Sequence, residues 1–114
     1  MKKSLLIVFM AVVATTPAVA QGINRVPYKE RITLRVGQAM VVHGLRGDCG
    51  KLPSKSKLTP IKFTTGTVVF GKEGVRKSNA CNGDTPVYEA IFKAEAKGRE
   101  KIVLFGDPIS ITVK

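Results

Sequence analysis

Eight basic side chains lie around the two cysteines of the chain, and their type and spacing suit a binding site for anions. Guanidinium and ammonium groups bind anions because they combine positive charge with several hydrogen-bond donors. The first group surrounds Cys49 and the second precedes Cys81. The candidate binding residues are Arg46, Lys51, Lys55, Lys57 and Lys62 in the first group, and Lys72, Arg76 and Lys77 in the second.

Cys49 and Cys81 are the only cysteines, and their separation is far longer than the C-x-x-C spacing of redox and zinc sites. We therefore expect a structural disulfide, which is common in exported proteins. Closing the loop between them should stabilise the fold by roughly 3 to 4 kcal/mol on the chain-entropy model. The bond would also bring the two basic groups towards each other at one end of the molecule.

Residue patterns typical of catalysis do not occur in the sequence. His43 is the only histidine, and its apolar neighbours predict a place in a strand with a local hydrogen bond. Nucleophile-elbow, zinc-helix, phosphate-loop and dinucleotide motifs are lacking. We therefore predict no catalytic residue, no metal site and no cofactor, and we do not expect an enzyme.

The N-terminus has the layout of a cleaved signal peptide. Two lysines precede an apolar run over residues 5–14, and a small-x-small cleavage site follows at residues 18–20. The run is shorter than the roughly 20 apolar residues that span a bilayer. We expect residues 1–20 to be removed on export, and residues 21–114 to form one periplasmic or secreted domain without a transmembrane segment.

The charge of the chain is strongly positive. The 19 Lys and Arg residues exceed the 8 Asp and Glu residues by +11, and loss of the two signal lysines leaves about +9. Net charge bears on partners rather than on fold. In an exported protein the anionic partners are lipids, acidic glycans and acidic proteins, and nucleic acid is not expected. The alternative is a solvated basic surface with no specific partner.

In the segments that must hold these cations, apolar and polar residues alternate with the period of two that is typical of strands. Extended segments are predicted at residues 31–36, 39–44, 61–64, 67–70, 75–78, 86–96, 101–105 and 109–113, with "GKEG" at 71–74 as a turn. In the longest segment, Glu89 and Glu95 are expected on the solvated face, beside lysines. The pattern predicts an all-β, antiparallel, immunoglobulin-like sandwich of seven or eight short strands, although the tryptophan of true immunoglobulin domains is absent.

Three functions are compatible with this description. The first is an exported binding protein whose basic loops engage an anionic cell-envelope component or an acidic protein partner. The second is an inhibitor of a hydrolase, a protease or a glycosidase, that acts through loop 46–62. The third is a structural or accessory envelope protein that pairs with a partner through a sheet edge.

Overall fold

The computed structural model describes residues 22–114, and the predicted signal peptide lies outside this range. Seven strands make up most of the described chain. They are β1 (Arg31–Leu34), β2 (Ala39–Arg46), β3 (Ile61–Lys62), β4 (Gly66–Ser78), β5 (Gly83–Ala94), β6 (Gly98–Leu104) and β7 (Asp107–Val113). One turn of 3-10 helix covers Lys55–Lys57. Within residues 22–114, no helix has the length and apolarity that crossing a membrane requires.

The strands form a four-stranded sheet with the order β2-β5-β4-β3 and a three-stranded sheet with the order β1-β7-β6. β1 runs parallel to β7, and the other strand pairs are antiparallel. The order β2-β5-β4 corresponds to strands B, E and D of an immunoglobulin sandwich. The predicted all-β, immunoglobulin-like sandwich is confirmed, with seven strands.

The core lies between the two sheets and consists of the inward-facing residues of the alternating strands. Phe92 of β5 is its largest fully buried side chain. Packed with it are Ile32, Leu34, Val42, Val68, Ala90, Ala94, Ile102, Leu104, Ile109, Ile111 and Val113. Removing side chains of this size from water contributes roughly 1.5 to 3 kcal/mol each, so the core holds the two sheets together.

The predicted turn at "GKEG" is wrong, because β4 continues through it with a bulge between Phe70 and Glu73. The two glycines allow close approach of other atoms rather than chain reversal. A Cβ atom on Gly71 would lie 2.7 Å from a carboxylate oxygen of Glu89, and one on Gly74 would lie 2.5 Å from the carbonyl oxygen of Asn24. β4 and β5 therefore form one long hairpin.

The buried face of β5 changes sides near the middle of this hairpin. Ala90 and Phe92 are buried on the face that meets the opposite sheet, whereas Val87 and Glu89 are buried on the other face. We call residues 71–87 the hairpin arm. The segment before β1 lies along the arm, where backbone hydrogen bonds of 2.9 Å join residues 24 and 26 to residue 75.

The expectation that Glu89 is solvated is wrong, because its residue is only 9% exposed. Its carboxylate accepts hydrogen bonds from the side chain of Asn24 at 3.1 Å and from the backbone N–H of Lys72 at 3.3 Å. Glu95 is exposed, but it accepts a hydrogen bond from Thr67 Oγ1 at 2.8 Å rather than pairing with a lysine. The alternation rule failed at Glu89 because the arm is covered on the second face.

The predicted disulfide is confirmed: Cys49 and Cys81 are bonded, with their Cα atoms 5.4 Å apart. Cys49 lies in the loop after β2, and Cys81 lies in the turn between β4 and β5. The bond therefore ties the loop that carries Lys51 to the tip of the hairpin arm.

Candidate anion-binding site

A groove of about 630 Å³ lies beside the hairpin arm, and we call it the basic groove. Three of the predicted cations line it: Arg46 at the end of β2, and Arg76 and Lys77 in β4. The remaining lining comes from β2, from the hairpin turn and the end of β4 before it, from the segment before β1, and from the turn between β6 and β7 with the start of β7. These residues are Val26, Tyr28, His43, Ser78, Asn79, Ala80, Phe105 and Asp107.

Arg76 is held in the groove by backbone carbonyl groups. Its Nε donates to the carbonyl oxygen of Gly44 at 3.0 Å, and its Nη1 donates to that of Lys77 at 3.3 Å. The lack of a side chain at Gly44 makes room for the side chain of Arg76, since a Cβ atom at Gly44 would lie 3.3 Å from Cδ of Arg76. Burial and the positive charge of Arg46 lower the pKa of Arg76, whereas Asp107 raises it. A guanidinium stays protonated in such a setting.

Arg46 and Arg76 have no ion-paired carboxylate within residues 22–114. In this range Arg25 forms an ion pair with Asp84, and Asp107 is hydrogen-bonded to His43. Asp84 receives two hydrogen bonds from Arg25, at 3.2 and 2.8 Å, and these hold the pKa of Asp84 below its usual value. Two like charges in a partly buried groove repel each other. An anion in the groove would supply the missing negative charge.

The floor of the groove contains a histidine–carboxylate pair. His43 is 1% exposed, and its Nε2 lies 2.8 Å from Oδ2 of Asp107. Its Nδ1 accepts a hydrogen bond from the backbone N–H of Gly44 at 2.9 Å. Nδ1 is therefore unprotonated, and Nε2 carries the proton that is donated to Asp107. The predicted place of His43 in a strand with a local hydrogen bond is confirmed.

Two aromatic rings flank this pair. The ring centroids of Tyr28 and Phe105 lie 4.8 and 5.3 Å from that of His43. The hydroxyl of Tyr28 donates to the carbonyl oxygen of Pro108, which anchors the segment before β1 to β7. The groove is thus lined by cations, by aromatic rings and by the carboxylate of Asp107.

The pKa of His43 predicts how stability depends on pH. Burial lowers this pKa, and the hydrogen bond to Asp107 only partly opposes the shift. As the pH falls through 6.5, the ordinary value for histidine, the unfolded chain takes up a proton before the folded one does. The free energy of unfolding should therefore be largest above this pH and should decline below it.

Urea denaturation between about pH 7 and pH 5 measures this dependence, and most carboxylates stay ionised in that window. His43→Gln should reduce the slope, because glutamine can donate to Asp107 without titrating. A variant that kept the full slope of the wild type would contradict the assignment to His43.

A second recess of about 340 Å³ adjoins the groove, and we call it the lysine recess. It is lined by Arg46, Gly47, Asp48, Lys51, Leu52, Pro53, Ser54 and Lys57. The disulfide and local hydrogen bonds fix its loop. The N–H of Lys51 donates to the carbonyl oxygen of Asp48 at 2.9 Å, and the N–H of Gly50 donates to Oγ1 of Thr85 at 3.0 Å.

The eight predicted cations fall into three sets, and Arg46 belongs to two of them. Arg46, Arg76 and Lys77 line the basic groove, and Arg46, Lys51 and Lys57 line the lysine recess. Lys55, Lys62 and Lys72 are exposed and line neither. Arg46 ends β2 rather than lying in the loop 46–62 where we expected it, whereas Arg76 and Lys77 lie in β4, in agreement with the extended segment predicted at residues 75–78.

Sequence reasoning missed the aromatic residues and the carboxylate that line the groove beside the cations. His43 was assigned only a local role, and its partner Asp107 is 64 residues away. Tyr28, Phe105 and Asp107 belong to no motif, and only the folded chain brings them together. Within residues 22–114, no group of three or more His, Cys, Asp or Glu side chains is arranged to hold a metal ion.

No protein-family model, no curated protein and no solved structure matches the chain. The functional argument therefore depends on the geometry and charge of the site.

Proposed function

We propose that the protein is an exported binding protein that holds an anionic group of a cell-envelope component or of an acidic protein in the basic groove. One observation carries the proposal: Arg46 and Arg76 line the same groove, and neither has an ion-paired carboxylate within residues 22–114. The signal-like N-terminus agrees with export, and a net charge of +11, or about +9 without residues 1–20, agrees with a protein that binds anions.

Two effects would stabilise an anion bound in this groove. It accepts charge-assisted hydrogen bonds from guanidinium groups, each worth about 1.5 to 3 kcal/mol. It also relieves the repulsion between the two arginines, which burial makes stronger than it would be in water. Asp107 lines the same groove and raises the pKa of Arg76, but it makes no ion pair with either arginine, and its Oδ2 accepts a hydrogen bond from His43. His43 is thus a positioning residue that keeps the carboxylate in place.

Arg76→Gln should weaken binding by about 10- to 100-fold, the equivalent of one lost charged hydrogen bond. Co-sedimentation of the purified chain, residues 21–114, with cell-envelope fractions across a salt series measures the loss. Lys72→Gln is the matched control, since it removes the same charge from an exposed site outside both recesses. Thermal unfolding of both variants checks that they fold.

Equal losses in the two variants would contradict the proposal, because binding would then follow net charge rather than the groove. Retention that ignores salt would contradict it as well. That result would favour a partner recognised by shape, such as a hydrolase bound by loop 46–62 or a protein paired with a sheet edge.

A further inference from the structure

The basic groove and the lysine recess have one lining residue in common, Arg46. Cations therefore follow one another from the hairpin arm to the loop after β2. We call this series the basic track, and its members are Lys77, Arg76, Arg46, Lys51 and Lys57. A single small anion occupies one recess and leaves the cations of the other without a partner.

The backbone that carries the basic track is held in place by contacts within the fold. The disulfide joins the loop of the lysine recess to the turn at the end of the basic groove. A second connection comes from the N–H of Gly50, which donates to Thr85 of β5 at 3.0 Å. The guanidinium of Arg46 is itself held by the carbonyl oxygen of Gly47 at 2.9 Å. This held backbone favours a ligand with anionic groups at several points, because only the exposed lysine side chains remain to be ordered on binding.

The surroundings of the basic track favour a polysaccharide over a protein. Protein interfaces draw most of their affinity from buried aromatic and apolar anchors. Within residues 22–114 the exposed large hydrophobic residues are Ile23, Tyr28, Val36 and Val103. Of these four, only Tyr28 lines either recess, where the half-buried Phe105 also lies. The exposed hydroxyl and amide side chains of Ser54 and Asn79 also line the recesses. These groups suit the hydroxyls of sugars.

Concave recesses also disfavour a flat membrane surface. Arg76 is partly buried and held against the backbone, so an anion must enter the groove to reach it. A flexible chain can do so at both recesses, whereas a planar bilayer meets the outer lysines first.

We infer that the ligand is an acidic polysaccharide that lies along the basic track and places anionic groups in both recesses. This inference rests on the proposed function of the basic groove. It adds the class of ligand and the participation of Lys51 and Lys57, which the groove alone does not require.

Titration with heparin-derived oligosaccharides of defined length tests the inference, with inorganic phosphate as the small anion. We expect affinity to rise at least tenfold from the disaccharide to the octasaccharide, with a steeper salt dependence for the longer chain. The double variant Lys51→Gln/Lys57→Gln should weaken octasaccharide binding about tenfold and leave disaccharide binding nearly unchanged. The matched control is Lys55→Gln/Lys62→Gln, which removes the same charge outside both recesses.

Several results would overturn the inference and leave the proposed function intact. One is equal affinity of the protein for the disaccharide and the octasaccharide. Another is an equal loss of octasaccharide affinity in the two double variants. In both cases Arg76→Gln would still weaken the binding of both ligands. Tighter binding of polyglutamate or of anionic phospholipid vesicles than of the octasaccharide would replace the polysaccharide with a protein or a membrane. If Arg76→Gln changes nothing, the proposed function itself fails.

Discussion

Replacement of both Cys49 and Cys81 by serine is expected to lower the free energy of unfolding by about 3 to 4 kcal/mol. The two cysteines are separated by 32 positions, and the bond removes the freedom of that loop from the unfolded chain. Small domains have total stabilities of only about 5 to 15 kcal/mol. The loss would therefore be a large share of the stability of this chain.

Urea denaturation of the variant and of the reduced wild type measures this effect, and the two should agree. The same variant should bind anions less well, because the loop of the lysine recess is no longer tied to the hairpin arm. A double-serine variant as stable as the oxidised wild type would show that loop closure adds nothing here.

Gly66→Ala should destabilise the fold by about 3 kcal/mol, although it adds a single methyl group. A Cβ atom on Gly66 would lie 2.2 Å from the carbonyl oxygen of Lys93 and 2.6 Å from Cζ of Phe92. Neither neighbour can move easily. Lys93 belongs to the paired backbone of β5, and Phe92 is fully buried in the core. Overpacking must therefore displace the start of β4.

Gly22→Ala is the control for this substitution, because nothing lies within 4 Å of its added Cβ. Its effect on the free energy of unfolding should stay within about 0.5 kcal/mol, as is usual for surface changes. Urea denaturation compares the two variants. Equal stability of Gly66→Ala and Gly22→Ala would contradict the close approach at the start of β4.

Local patterns predicted most of the fold. Alternating residues located β1, β6 and β7, and the pair of cysteines defined the disulfide without ambiguity. The same rules failed where tertiary contacts decide the outcome. A glycine indicates a turn or a close approach equally well, so "GKEG" was assigned to a turn. Glu89 is buried because the segment before β1 covers the arm, and no local pattern records that contact.

The candidate site, like the fold, could be predicted only in part from the sequence. Residue type alone identified the cations, since Arg and Lys are recognisable wherever they lie. Which of them share a recess depends on the register of β2, β5 and β4, and that register includes bulges at Val41/His43 and Phe70/Glu73. The pairing of His43 with Asp107 connects strands of different sheets. Such contacts follow from the whole fold rather than from any short stretch.

The change of buried face within β5 has a consequence for motion. The hairpin arm lies outside the core between the two sheets and is held by residues 24–26, by pairing with the end of β2 and by the disulfide. Opening of the arm breaks these contacts and leaves the core closed. Amide hydrogens of such a unit exchange with solvent by local opening, independently of global unfolding. A ligand that contacts Arg76 on the arm and Arg46 on β2 binds only the closed arm. Binding then raises the free energy that is required to open the arm, so the amide hydrogens of the arm would exchange more slowly in the complex.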